Sequence, residues 1–223
     1  MAGYDVPTST EESTYTITTT NVSETATADY AKQGNGYARI TLLSVKEFDK
    51  EYTINYELNG GTATNPTTYT SETNDFVLNN PTKANSTFLG WTEENDILLT
   101  RQGNEIQYSS ADYVYFGPYY HVTQGYYRID VYGENLDKVN GWFSAREWTT
   151  DNIINISTTV LSSNHAVIIA QAVHDTSYLG LEIMVQKSTE DVVVTREEIR
   201  RINNNVTVTK GSVGNKNYTA NWN

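Results

Sequence analysis

The stretch Tyr52-Thr-Ile-Asn-Tyr-Glu-Leu-Asn-Gly-Gly61 decides how the chain is read. Tyr52, Ile54, Tyr56 and Leu58 alternate with Thr53, Asn55 and Glu57. A period of two marks a strand with one buried face, and Asn-Gly is the dipeptide on which such a strand turns back. Upstream, Gly34-Asn-Gly36 precedes an apolar run at 37–45, a turn followed by a strand. Downstream, Asp75-Phe-Val-Leu78 predicts a short strand, Asn79-Asn-Pro-Thr82 a turn, and Thr87-Phe-Leu-Gly-Trp91 supplies large apolar groups. Near the end of the chain, Val206–Thr209, a glycine-containing turn at 210–214 and Tyr218-Thr-Ala-Asn-Trp222 predict a closing hairpin.

Taken together, Asn59-Gly-Gly61, Asn80-Pro-Thr-Lys83, Phe88-Leu-Gly-Trp91 and Tyr218-Thr-Ala-Asn-Trp222 resemble the internalin-type B-repeat, also called the Listeria–Bacteroides repeat. The resemblance covers 50–92 and 206–223. It departs from the family in one respect, since a plain repeat has only a short loop where this chain carries residues 96–202. The resemblance implies a small β-grasp-like sheet with Phe88, Trp91 and Trp222 in its core, where each ring buries roughly 150–250 Å². Three segments are expected: an N-terminal arm and strand at 1–49, a discontinuous repeat unit at 50–95 plus 203–223, and an inserted β-sandwich at 96–202. Residues 34–42 are also similar to the end of glycine-rich domains in phage tail and bacterial surface proteins. They form no dinucleotide loop, because Arg39 stands where a third glycine is needed and a strand follows.

Composition narrows the function classes. The formal net charge of −12 argues against nucleic acid, whose phosphates need clustered Lys and Arg, and against docking on anionic lipid. No cysteine is present, which excludes disulfides, thiolate metal sites and a cysteine nucleophile. No window is apolar for the ~18 residues that span a bilayer, so membrane insertion is not expected. Met1-Ala-Gly-Tyr-Asp5 lacks the basic and apolar regions of a signal peptide. The expectation is an extracellular chain, displayed on a bacterial surface as a piece of a secreted protein or on a phage virion without a secretion signal.

The interruption reads as successive strands at 112–122, 126–132, 140–149, 153–160, 165–173, 179–185 and 192–202. The run 165–173 is nearly continuously apolar, as for a strand covered on both faces. Thr195-x-x-Glu198 fits a helix capping box, but the β-branched Val192-Val-Val194 favours a strand through 202. Strands at this spacing predict a β-sandwich. Tyr113-Val-Tyr-Phe-Gly-Pro-Tyr119 with Gly125-Tyr-Tyr-Arg-Ile-Asp-Val131 is similar to jelly-roll modules of galactose-binding type, found with glycan-active proteins.

Chemistry beyond binding has little to stand on. His121, His165 and His174 fall in no catalytic motif, and Glu93-Glu94 and Glu197-Glu198 read as solvated surface. No catalytic residue and no enzyme activity is expected. Jelly rolls of this type often hold a structural calcium, but no EF-hand spacing occurs, so no cofactor and no metal ligand is assigned.

Binding is better supported. By alternation Tyr127, Ile129 and Val131 share one face of a strand, and Tyr126, Arg128, Asp130 and Tyr132 share the other. Tyr with Arg and Asp on one face fits a sugar surface, where rings stack on apolar sugar faces and polar groups bond hydroxyls; exposed Tyr is equally ordinary on β-surfaces. Trp142 and Trp148, six residues apart, complete the candidate set, with one of the two expected in the core. The expectation is an all-β protein, a β-grasp-like repeat with an inserted jelly-roll sandwich. Its sandwich would recognise a glycan, a cell-surface polymer or a partner surface. The alternative is a structural virion decoration or fibre protein, anchored to neighbouring subunits through 1–49.

Overall fold

The computed structural model describes residues 50–102, 113–177, 179–186 and 191–223. The expected arm at 1–49, including the glycine-rich segment, lies outside them. The Tyr52–Glu57 alternation forms β1, with Ile54 turned into a core. β1 sits in a four-stranded sheet between β2 (Thr68–Tyr69) and β14 (Lys216–Trp222), and β14 pairs in turn with β4 (Phe88–Glu93). β3 (Phe76–Val77) and β13 (Thr207–Val208) pair beside it. Trp91, Tyr69, Tyr218 and Ile54 form the buried centre, with Phe88 and Trp222 half-buried against it. Phe88 meets Trp91 and Trp222 edge-on, each at 5.4 Å.

β1 and β14 run parallel, with Ile54 opposite Lys216 and Tyr56 opposite Tyr218. A tight hairpin cannot join parallel strands, so the chain between them must cross over. That crossover contains two further antiparallel sheets. The five-stranded one has the order β5 (Ile97–Gln102), β12 (Val193–Ile202), β7 (Gly125–Glu134), β10 (His165–Ala172), β9 (Ile153–Ser162). The three-stranded one has the order β6 (Tyr113–Tyr120), β11 (Leu181–Gln186), β8 (Phe143–Glu147). Residues 195–202 are strand, so the β-branched lead-in outweighs the capping box. The described helical structure is a single 3-10 turn, Leu136–Lys138.

The two sheets face each other across one core. Tyr127, Ile129 and Val131 of β7, Ile168 of β10 and Ile199 of β12 pack against Tyr115 of β6 and Leu181, Ile183 and Val185 of β11. The other face of the five-stranded sheet is also partly covered. Val167 and Ile169 of β10 meet Leu89 of β4 and Ile202 of β12. The apolar run at 165–173 therefore has two apolar sides to serve. Gly90 permits this approach: its φ is +140°, and a Cβ there would lie 2.7 Å from the Asn203 backbone. Trp91 and Asn203 exchange backbone hydrogen bonds at 2.8 and 2.9 Å, stitching β4 to the chain leaving β12. Residues 51–223 thus form one compact unit.

Candidate functional site

The alternation read along β7 holds, and it sends Tyr126, Arg128, Asp130 and Tyr132 to the outer face of the five-stranded sheet. What happens to them there differs residue by residue. Tyr126 is drawn into the apolar seam with Leu89, Val167, Ile169 and Ile202. Asp130 is 3% exposed and lies beneath a set of donors. Arg128 Nε and Nη2 donate to its two oxygens at 2.9 and 2.8 Å, Arg200 Nη1 reaches Oδ2 at 3.0 Å, and His165 Nε2 lies 2.9 Å from Oδ1. Burial works against the charge of Asp130, but the bonds from His165 and Arg128 and the charges of Arg128 and Arg200 outweigh it. The carboxyl is held well below the usual range.

Tyr132 is flanked on both ring faces. His165 on β10 stacks at 4.6 Å and 10°, and the Arg196 guanidinium on β12 sits 4.1 Å from the ring centroid. Asp130 has its oxygens engaged and Tyr132 has its ring covered, so neither presents the surface that sugar stacking or hydroxyl bonding uses. The row instead links the sandwich to the repeat: Arg200 Nε donates to Glu94 O at 3.0 Å, and Arg128 Nη1 to Asn221 Oδ1 at 3.5 Å. A polar cleft of about 460 Å³ remains beside it, lined by Thr92, Asn95, Asn217 and the row itself. Glu198 is buried as well, bonded by Arg200 Nη2 at 2.7 Å, and Glu197 is 1% exposed. This corrects the reading of Glu197-Glu198 as solvated surface: β12 is a central strand, covered on both sides.

The second group lies on the other sheet. Trp142 and Trp148 are 55% and 48% exposed, which corrects the expectation that one enters the core. The inward positions of β8 belong to Ala145 and Glu147, so the residues of even number face out. Glu147 is spent inside, accepting from Thr150 Oγ1 at 2.6 Å, Asn152 Nδ2 at 2.8 Å and the backbone N–H groups of Ser177 and Gly180 at 3.0 and 3.1 Å.

Each exposed tryptophan has a specific neighbour, at the main chain of Trp142 and at the ring of Trp148. Gln186 of β11 accepts from Trp142 N through Oε1 at 3.0 Å and donates its own backbone N–H to Trp142 O at 2.8 Å. Gly141 allows this clasp, for a Cβ there would fall 2.0 Å from Gln186 Oε1. At the other end of β8 the Arg146 guanidinium sits 4.2 Å from the Trp148 ring. Arg146 is steered by Glu182, which accepts from its Nε at 2.9 Å and is itself 2% exposed. Burial raises the Glu182 pKa, and its bonds to Arg146 and to the Tyr119 hydroxyl oppose that rise. A shallow groove of about 570 Å³ follows β8, lined by Trp142, Ser144 and Arg146 with Asn155 and Gln186 at its sides.

The structure therefore divides the six expected residues between opposite outer faces. The missing partners, Arg200, Glu198 and His165, are brought to Asp130 by register, with Glu198 opposite Asp130 and Arg200 opposite Arg128. Two charges spaced two apart on one strand were the signal in the sequence, but nothing there says which strand they join. Among the described residues there is no group of three or more His, Cys, Asp and Glu that could hold a metal ion.

Residues 52–112 match the family model of the Listeria-Bacteroides repeat domain. The match takes in β1 to β5 and supports the B-repeat reading, while β14, which pairs with both β1 and β4, lies beyond it. The repeat is typical of surface-associated proteins and is typically non-catalytic. No curated protein and no solved structure matches the chain. Among the described residues no helix is long and apolar enough to cross a membrane.

Proposed function

We propose that the protein is a non-catalytic, surface-displayed binding protein whose sandwich takes a glycan on the outer face of its three-stranded sheet. Trp142 and the face of Trp148 that Arg146 leaves open supply the stacking platforms, and Arg146 supplies hydrogen-bond donors beside them. The observation that carries this reading is that both tryptophans are about half exposed, with the main chain of Trp142 clasped by Gln186 and the ring of Trp148 stacked against Arg146. A side chain whose freedom is already restricted costs less to order when a ligand stacks on it. Trp91, by contrast, is fully buried.

In this reading the repeat, residues 50–95 with 203–223, is a frame that closes around residues 96–202 and fixes how the sandwich is presented. The Asp130 row belongs to that frame-to-sandwich junction rather than to the ligand surface. Display is extracellular, on a bacterial surface or a virion.

The test is a glycan array followed by titration of the wild-type chain and of Trp142→Ala and Trp148→Ala. Each substitution is expected to weaken binding about tenfold or more, as for an aromatic anchor worth ~2 kcal/mol. Absence of binding at millimolar sugar removes the glycan reading and leaves a structural element of a surface or virion assembly.

A further inference from the structure

Resting on the glycan reading of this face, we infer that its ligand is an internal stretch of a linear, uncharged polysaccharide. The chain lies along β8 and contacts Trp142 and Trp148 at the same time.

Length is the first argument. Trp142 and Trp148 flank the five residues of β8, Phe143–Glu147, a strand roughly 15 Å long. No single sugar ring reaches both. A ligand that uses both platforms must be extended, and the groove follows the strand from Trp142 to Arg146, whose guanidinium meets the Trp148 ring.

Shape is the second. The groove is shallow and open rather than a closed cavity, and the residues from Gly141 to Arg146 line it together with Asn155 and Gln186. Recognition of a chain terminus needs an enclosing end wall, whereas an open groove accepts a chain that passes through.

Charge is the third. Arg146 is the one charged residue among the described lining residues, and Glu182 matches it at 2.9 Å from behind. A locally balanced groove on a chain of formal net charge −12 repels a polyanion and offers an acidic sugar no unpaired cation. Hydroxyl-bearing neutral sugars suit the Ser144 hydroxyl, the Asn155 and Gln186 amides and the remaining Arg146 donors.

The test is calorimetric titration of the full chain with oligosaccharides of cellulose, xylan, mannan and galactan, graded upward from the disaccharide, with oligogalacturonate as the charged control. Trp142→Ala and Trp148→Ala are measured beside the wild type, with circular dichroism to confirm that each folds. Affinity for at least one neutral series is expected to rise about tenfold or more with length and then level off once both rings are spanned. Each variant is expected to lose that gain and bind long oligomers as weakly as short ones. Glycan binding that is flat with length, a length dependence that survives either substitution, or preference for oligogalacturonate overturns this inference while leaving the glycan reading standing. No binding by any series or on the array overturns both.

Discussion

Arg200 donates to Asp130 at 3.0 Å from the neighbouring strand, and the same guanidinium donates to the backbone carbonyl of Glu94 in the repeat. One side chain thus ties a buried carboxylate of the sandwich to the turn after β4. Arg128 repeats the arrangement through Asn221, whose Nδ2 donates to Gly90 O and Thr92 Oγ1, both at 3.2 Å. The junction is polar at its centre and apolar at the Leu89 seam, so its polar half depends on every charge being matched.

Asp130→Asn is therefore expected to destabilise the fold strongly. It leaves Arg128 without its carboxylate and Arg200 with Glu198 alone, a change that costs roughly 3 kcal/mol. Urea unfolding at neutral pH measures it. The pH dependence has a definite sign. Because the folded carboxyl is held below its ordinary value, its contribution is complete above about pH 4 and is lost as pH falls through the folded value. The wild type is expected to lose stability below that point more steeply than the variant.

Glu197 is expected to act in the opposite direction. It faces the sandwich core at 1% exposure, and among the described residues neither of its oxygens has a hydrogen-bond partner. Burial pushes its pKa up from 4.5 to about 7, against smaller opposing effects from the nearby Tyr115 hydroxyl and the Arg101 charge. The Tyr115 contact lowers the value without meeting good hydrogen-bond geometry. The folded protein therefore keeps the proton between pH 4.5 and 7 while the unfolded chain has released it. Its stabilisation is full below 4.5 and is lost as pH rises through 7. Glu197→Gln is expected to flatten that decline, and at pH 8 to be more stable than the wild type by an amount of order 3 kcal/mol or less. Chemical denaturation across pH 5–8 reads the difference.

Much of this architecture is legible in the sequence, and what is not has a physical reason. The Tyr52–Leu58 alternation, the split of β7 into Tyr127, Ile129 and Val131 against Arg128, Asp130 and Tyr132, and the doubly covered run at 165–172 all follow from periodicity. Register does not. Nothing local to 196–200 announces that Glu198 will lie opposite Asp130, so the local pattern points Glu197-Glu198 to the surface while the register buries both. The tryptophans fail for a related reason. Hydrophobicity favours an inward Trp, but β8 gives its inward positions to Ala145 and to a carboxylate that serves loop N–H groups thirty residues away in sequence.

Gln186→Ala tests whether the clasp on Trp142 matters for presentation. Loss of one side-chain hydrogen bond costs about 1 kcal/mol, so the fold is expected to persist. The ring is expected to gain motion, seen as a sharper Trp142 resonance in a fluorotryptophan NMR spectrum. Glycan affinity is expected to fall although no ring has been removed. An unchanged resonance means that the clasp does not fix the ring.

The tryptophans should separate cleanly by role. Trp91→Ala empties the centre of the repeat core and is expected to cost roughly 3–5 kcal/mol. Trp142→Ala and Trp148→Ala each change an exposed position and are expected to stay within about 0.5 kcal/mol of the wild type. Thermal denaturation of the three variants measures this contrast.

The most direct measurement titrates a glycan found on the array into three chains: the wild type, the Trp142→Ala, Trp148→Ala double variant, and Tyr132→Phe as a control on the opposite face. The double variant is expected to keep the wild-type melting temperature and lose about a hundredfold or more in affinity, with Tyr132→Phe unchanged. Full affinity in the double variant, or loss of binding in Tyr132→Phe alone, contradicts the assignment of the three-stranded face as the ligand surface.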